Sequence, residues 1–132
     1  MKRSGDVDEL VEAARAARAN AHAPYSRFGV GAAVLAGDRV FVGVNVENAS
    51  YPLSVCAERN AVAAAVAAWE REFLAVAVVA DDEEPTPPCG GCRQVLHEFG
   101  PGMLVVSENE RGKRNEWTLA DLFPDAFERP LP

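Results

Sequence analysis

Cys56-Ala57-Glu58-Arg59, then the apolar run from Phe73 to Ala80, then Pro88-Cys89-Gly90-Gly91-Cys92 are the stretches whose reading decides the fold. They hold the chain's only three cysteines. An odd number of thiols cannot be fully paired as disulfides, whereas three thiolates suit a zinc that leaves one position open to water. Cys89 and Cys92 stand three apart, so one turn of helix presents both sulfurs to a common point. Each cysteine segment falls where a helix is expected to begin. One starts near Ser54 or Cys56 and runs through Ala61 to Ala68 to about Arg71. The other starts near Cys89 and runs to the stop at Gly100-Pro101-Gly102. At a helix N-terminus the free N–H groups and the helix dipole favour thiolate over thiol. Phe73 to Ala80 reads as a strand buried on both faces, which would set the two helices side by side so that their N-termini converge on one metal.

Outward from these segments the pattern stays regular. Asp6 or Asp8 caps a helix to about Asn20, with Leu10, Val11, Ala14 and Ala17 as its inner stripe. Val30 to Leu35 and Arg39 to Val46 form a hairpin around Gly37-Asp38. Asp81 to Pro88 is an acidic, proline-rich loop. Met103 to Val106 is a further strand, a polar turn follows, and Trp117 begins another strand or a short helix. The order α, β, β, α, β, α, β and then β or α indicates an α/β fold, a three-layer α-β-α sandwich on a mixed sheet, with residues 1–132 as one domain.

The chain is 48% hydrophobic and 25% charged and has no apolar run of membrane-span length. No apolar stretch follows Met1-Lys2-Arg3-Ser4, so the expected compartment is the cytoplasm, with its thiols reduced unless they hold metal. The net charge of −7 argues against a polynucleotide partner. Arg111, Lys113 and Arg114, flanked by Glu108, Glu110 and Glu116, read as a solvated turn. The expected ligand is a small free molecule.

Three thiolates leave a zinc site with net negative charge, unhelpful for acidifying water. Arg59 lies where it would donate hydrogen bonds to the sulfurs and draw charge from them. Glu58, two residues from Cys56, does not share its helical face and is expected to reach past the metal to the bound water and substrate and not to ligate. Gly90 and Gly91 would let backbone approach the metal. A structural zinc needs a fourth protein ligand; His97, five residues beyond Cys92, points elsewhere, and both it and His22 read as packing or surface histidines.

Pro88-Cys89-x-x-Cys92 matches the second zinc segment of nucleobase deaminases, and Cys56-Ala57-Glu58 the first in its cysteine variant. At these residues the chain resembles the small, tetrameric class of cytidine deaminases. Tyr25 to Ala33, Gly43 to Tyr51, Cys56 to Arg59, Pro88 to Gln94 and Leu122-Phe123-Pro124-Asp125-Ala126-Phe127 are similar to family segments, in order, over roughly residues 8–127. The resemblance implies a mixed five-stranded sheet, one Zn²⁺ per chain on Cys56, Cys89 and Cys92, and Glu58 as proton shuttle beside Arg59. It implies that Phe28 packs on the pyrimidine, that Asn45 and Glu47 bond the ribose hydroxyls, and that the backbone at Ala57 reads the base edge. Tyr51 and Phe127 resemble residues supplied to a neighbouring subunit, implying a homotetramer. Asn60 and Gly91 depart from the family's usual Thr and Ala. The implied reaction is deamination of cytidine and deoxycytidine to uridine and deoxyuridine with release of ammonia, in pyrimidine salvage. Alternatives are a deaminase of a blasticidin-type nucleoside antibiotic and a zinc-stabilised nucleoside binder without catalysis.

Overall fold

Phe73–Ala80 is β3, the middle of the sheet, and every residue in it but Leu74 is buried. The structure, a computed structural model, describes residues 4–132, with side chains described from residue 6 onward. Around β3 lie β1 (Val30–Ala36), β2 (Arg39–Val44), β4 (Leu104–Asn109) and β5 (Arg114–Thr118), in the order β2-β1-β3-β4-β5. The β1–β2 and β4–β5 hairpins and the β1–β3 pair are antiparallel, whereas β3 and β4 run parallel. A parallel pair needs a crossover, and α3 (Gly90–His97) provides it.

Alternation along the strands sends side chains to two opposite cores. Val7, Leu10, Val11 and Ala14 of α1 (Ser4–Arg18) bury against Ala33, Ala77 and Val106 on one face. Ala61 and Val62 of α2 (Ala57–Ala67) and Leu96 of α3 bury against Val34, Val76 and Val105 on the other. The three-layer sandwich on a mixed five-stranded sheet is therefore present, closed by a short α4 (Leu119–Leu122). Among the described residues no helix is long and apolar enough to cross a membrane.

The helix–sheet spacing is set by small residues. A Cβ on Gly31 would meet Ala14 O at 2.0 Å, and one on Gly43 would meet Ala61 N at 2.3 Å and Ala57 O at 2.5 Å. Backbone thus packs on backbone where α2 crosses β2, and Asn60 Nδ2 donates to Val44 O at 2.8 Å across the same contact.

Several boundaries differ from the expectation. Helix α1 begins at Ser4 and stops at Arg18; Val7 joins its inner stripe, while Ala17 is only half-buried. Strand β2 stops at Val44, because Val46 leaves the ladder for isolated bridges with His22 and Val55. Helix α2 stops at Ala67 rather than near Arg71: Trp69 takes φ +72°, a left-handed turn that reverses the chain toward β3. Helix α3 ends at His97, short of Gly100-Pro101-Gly102. Trp117 lies within β5, and the short helix follows it, so strand and helix both occur. The largest difference is β4, which continues past Val106 through Ser107, Glu108 and Asn109, all three buried. The polar turn expected there is strand. Arg114, Glu108 and Glu110 are likewise not a merely solvated group: Arg114 donates to Glu108 and Asp8 at 2.8 Å each, and Arg15 of α1 pairs with both Glu108 and Glu110.

Candidate active site

Cys56 is the N-cap of α2 and Cys89 the N-cap of α3, both in extended backbone with no capping bond from the side chain. Their sulfurs are therefore free to turn toward a common point, which Cys92 reaches from the first turn of α3. The three Sγ atoms lie within 4.8 Å of one another, and Cys89 Sγ stands 3.5 Å from Cys92 Sγ. An all-thiolate set at helix N-termini suits zinc rather than a hard cation that prefers oxygen. This donor set fits one zinc per chain, and Glu58 is not part of it.

Electrostatics follow from the crowding. The Cys56 thiol is lowered to about 5, first by a hydrogen bond with Cys92 and then, against its burial, by Arg59. Cys92 moves the opposite way, pushed up by that same bond and by burial. Arg59 Nη2 donates to Cys56 Sγ at 3.3 Å, the contact expected of a residue that draws charge from the sulfurs. Burial, with the negative charge of Cys56 adding to it, pushes the Glu58 carboxyl up to about 7. Glu58 is only 6% exposed, so its carboxyl is held where the charged form is disfavoured.

Cys56, Glu58 and Cys89 open onto a cavity of about 300 Å³. Cys56, Ala57, Glu58 and Cys89 are among its lining residues, as are Phe28, Asn45, Glu47 and Tyr51. Tyr51 lines it while 76% exposed. Phe127 is not in this cavity; it is 67% exposed, beside His97 and Pro101, and its carbonyl accepts from Gln94 Nε2 at 2.9 Å. His97 pairs with Glu128 at 2.8 Å and meets Phe123 edge-on, away from the sulfurs as expected. Gly90 and Gly91 meet no protein atom within 4 Å where a Cβ would stand, so protein packing does not require glycine at either.

The two polar residues expected at a ribose already have partners. Asn45 Oδ1 accepts from Val30 N and its Nδ2 donates to Phe28 O, both at 2.8 Å, so one amide pins the backbone on either side of Gly29. The Glu47 carboxylate accepts from Tyr25 N at 3.0 Å, Ser26 N at 3.1 Å and the Ser26 hydroxyl, and these bonds, the hydroxyl first, hold its pKa below the usual range.

Ser26, Val30, Val78, Thr86 and Pro87 also line the cavity, and sequence reasoning did not single them out. Ser26 was within reach, since it sits inside the Tyr25 to Ala33 segment. Val78 and Thr86 carried no signal; only the folding of the 81–88 loop over β3 and β4 places them there. Arg93 was also missed as a support: its Nε donates to Pro88 O and its Nη1 to Leu122 O, each at 2.8 Å, bracing the second cysteine segment against α4.

The family model described as the cytidine and deoxycytidylate deaminase zinc-binding region matches residues 5–108. A cytidine deaminase of Sporosarcina psychrophila is 48% identical over 126 residues, 94% of this chain and 93% of that protein. The crystal structure of cytidine deaminase from Burkholderia pseudomallei is 52% identical, superimposes with a TM-score of 0.88, and covers 91% of this chain and 98% of its own. That from Mycobacterium tuberculosis is 43% identical with a TM-score of 0.82, over 94% of this chain and 98% of its own. Matched along most of its length and with its three sulfurs converging, the chain belongs to the family of cytidine and deoxycytidylate deaminases that carries this zinc-binding region.

Proposed function

We propose that the protein hydrolyses cytidine and deoxycytidine: nucleoside plus water gives uridine or deoxyuridine plus ammonia. The observation that carries this reading is Glu58, a buried carboxyl held near neutral pKa beside three convergent sulfurs but outside their set. A purely structural zinc has no use for such a group. Cys56, Cys89 and Cys92 would hold the zinc, which when bound supplies the Lewis acidity that lowers the pKa of water toward neutrality. Glu58 takes a proton from the attacking water as C4 is attacked and delivers it to ring N3; it then takes the remaining proton of the new C4 hydroxyl and passes it to the amine, which leaves as ammonia while the C4 carbonyl forms. One carboxyl acts as base and acid because its pKa lies near the working pH. Arg59 tempers the charge of Cys56.

Phe28 packs on the pyrimidine, and the backbone at Ala57 reads its edge. Asn45 and Glu47 face the sugar, and the Glu47 carboxylate disfavours a phosphorylated one. The exposed Phe127, which lies outside its own chain's cavity, is supplied to that of a neighbouring copy in a homotetramer, and so is Tyr51, which also lines its own. With free thiols and a small nucleoside substrate, a cytoplasmic role in pyrimidine salvage fits best. The test is the ultraviolet change on mixing zinc-loaded protein with cytidine, confirmed by ammonia release. Stoichiometric conversion to uridine is expected; zinc-replete protein that binds cytidine without turnover would reject the reading.

A further inference from the structure

The wall of the cavity beside the second cysteine segment is built from Thr86 and Pro87. The loop that carries them contains Pro85, Pro87 and Pro88, which have no N–H to donate. Such a loop is held through its carbonyls, and donors elsewhere must reach for them. The buried end of β4 provides two. Ser107 Oγ donates to Thr86 O at 2.7 Å, and Asn109 Nδ2 donates to Glu83 O at 3.0 Å.

Both side chains stand where apolar ones would be expected. Ser107 and Asn109 continue the face of Val105, are 0% and 2% exposed, and Ser107 pairs in register with Val78, itself in the cavity wall. A polar group buried there is tolerated only when bonded. Asn109 Oδ1 is also used, accepting from Arg111 N at 3.0 Å and Lys113 N at 2.9 Å in the β4–β5 turn. The Thr86 hydroxyl, by contrast, is buried with no partner among the described residues. The carbonyl bond to Ser107 is therefore the polar tie that places residue 86.

We propose that Ser107 and Asn109 are positioning residues, which hold the proline-rich wall of the nucleoside cavity in place and so set affinity for the pyrimidine nucleoside. The proposal rests on the deaminase reading above. Neither side chain hydrogen-bonds to the cysteines or Glu58, and neither lines the cavity, so their loss should act on binding and spare both the metal and the proton transfers.

The test compares zinc-loaded wild type, Ser107→Ala and Val106→Ala, the last a core truncation on the opposite face of β4 that controls for lost stability. Titration calorimetry with uridine reports binding independently of turnover, and steady-state kinetics with cytidine separate KM from kcat. Ser107→Ala is expected to weaken uridine binding about tenfold and raise KM in step, as loss of one buried hydrogen bond implies, with zinc content unchanged. Val106→Ala is expected to melt lower than wild type yet bind uridine normally. Asn109→Asp, which keeps both acceptor bonds to the turn but loses the donor to Glu83, should shift KM in the same direction as Ser107→Ala. Unchanged uridine affinity in Ser107→Ala, an equal loss in Val106→Ala, or loss of zinc in Ser107→Ala would each overturn the positioning role while wild-type turnover kept the deaminase reading intact. Wild type that neither binds uridine nor deaminates cytidine would overturn that reading, and this inference with it.

Discussion

Glu58 and Glu47 are two carboxylates with opposite surroundings, and the difference suits the separate tasks proposed for them. Glu58 is buried and its pKa raised to about 7; Glu47 is ringed by donors and its pKa lowered. Glu58→Gln keeps the shape of the side chain and removes the proton carrier. It is expected to retain zinc and lose at least about a thousandfold in kcat, the upper range for a lost general acid–base. Metal analysis beside turnover checks this, and near-wild-type turnover would reject the mechanism. For Glu47 the folded pKa lies below the unfolded one, so its hold on residues 25 and 26 is complete above the unfolded value of about 4.3 and fades as pH falls through the lowered folded value. Amide exchange at Tyr25 and Ser26, corrected for intrinsic pH dependence, should show protection lost only in that acid range. Protection that does not change with pH would mean the carboxylate is not what holds them.

At the scale of elements, the position of α2 depends on a glycine. A Cβ at residue 43 would press on three backbone atoms of α2, at 2.3, 2.5 and 2.9 Å, and backbone yields less readily than a side-chain tip. Gly43→Ala is expected to cost about 1–3 kcal/mol by overpacking. Because α2 carries Cys56 and Glu58 at its start, kcat/KM should fall at least about tenfold as well, since small misplacements of reacting groups are costly. Gly91→Ala is the contrasting case: it sits in α3 with nothing within 4 Å. There the change should stabilise the fold by about 0.5–1 kcal/mol through helix propensity, with kinetics unchanged. Thermal melts with steady-state assays of both variants test the pair, and equal effects would refute the packing argument.

At the scale of the whole molecule, Tyr51 and Phe127 have large aromatic surfaces open to solvent, and Phe127 lies outside its own chain's cavity. Light scattering is expected to give the mass of four chains, and Phe127→Ala to raise KM; a monomer with full activity would refute shared sites. Much of this protein is legible in its sequence. The cysteine spacing, the central strand from Phe73 to Ala80 and the stops around it determined the layers, because metal ligands and burial impose local patterns that residues display directly. The convergence of the three cysteines was legible for the same reason. Only the tertiary structure decided that β4 runs on through Ser107, Glu108 and Asn109, since polar residues become strand interior only when distant partners, here Thr86, Glu83 and Arg114, satisfy them. It alone placed Thr86 and Val78 in the cavity wall and committed both ends of Asn45 to the backbone around Gly29. Those are contacts between segments far apart in the chain, and no local periodicity records them.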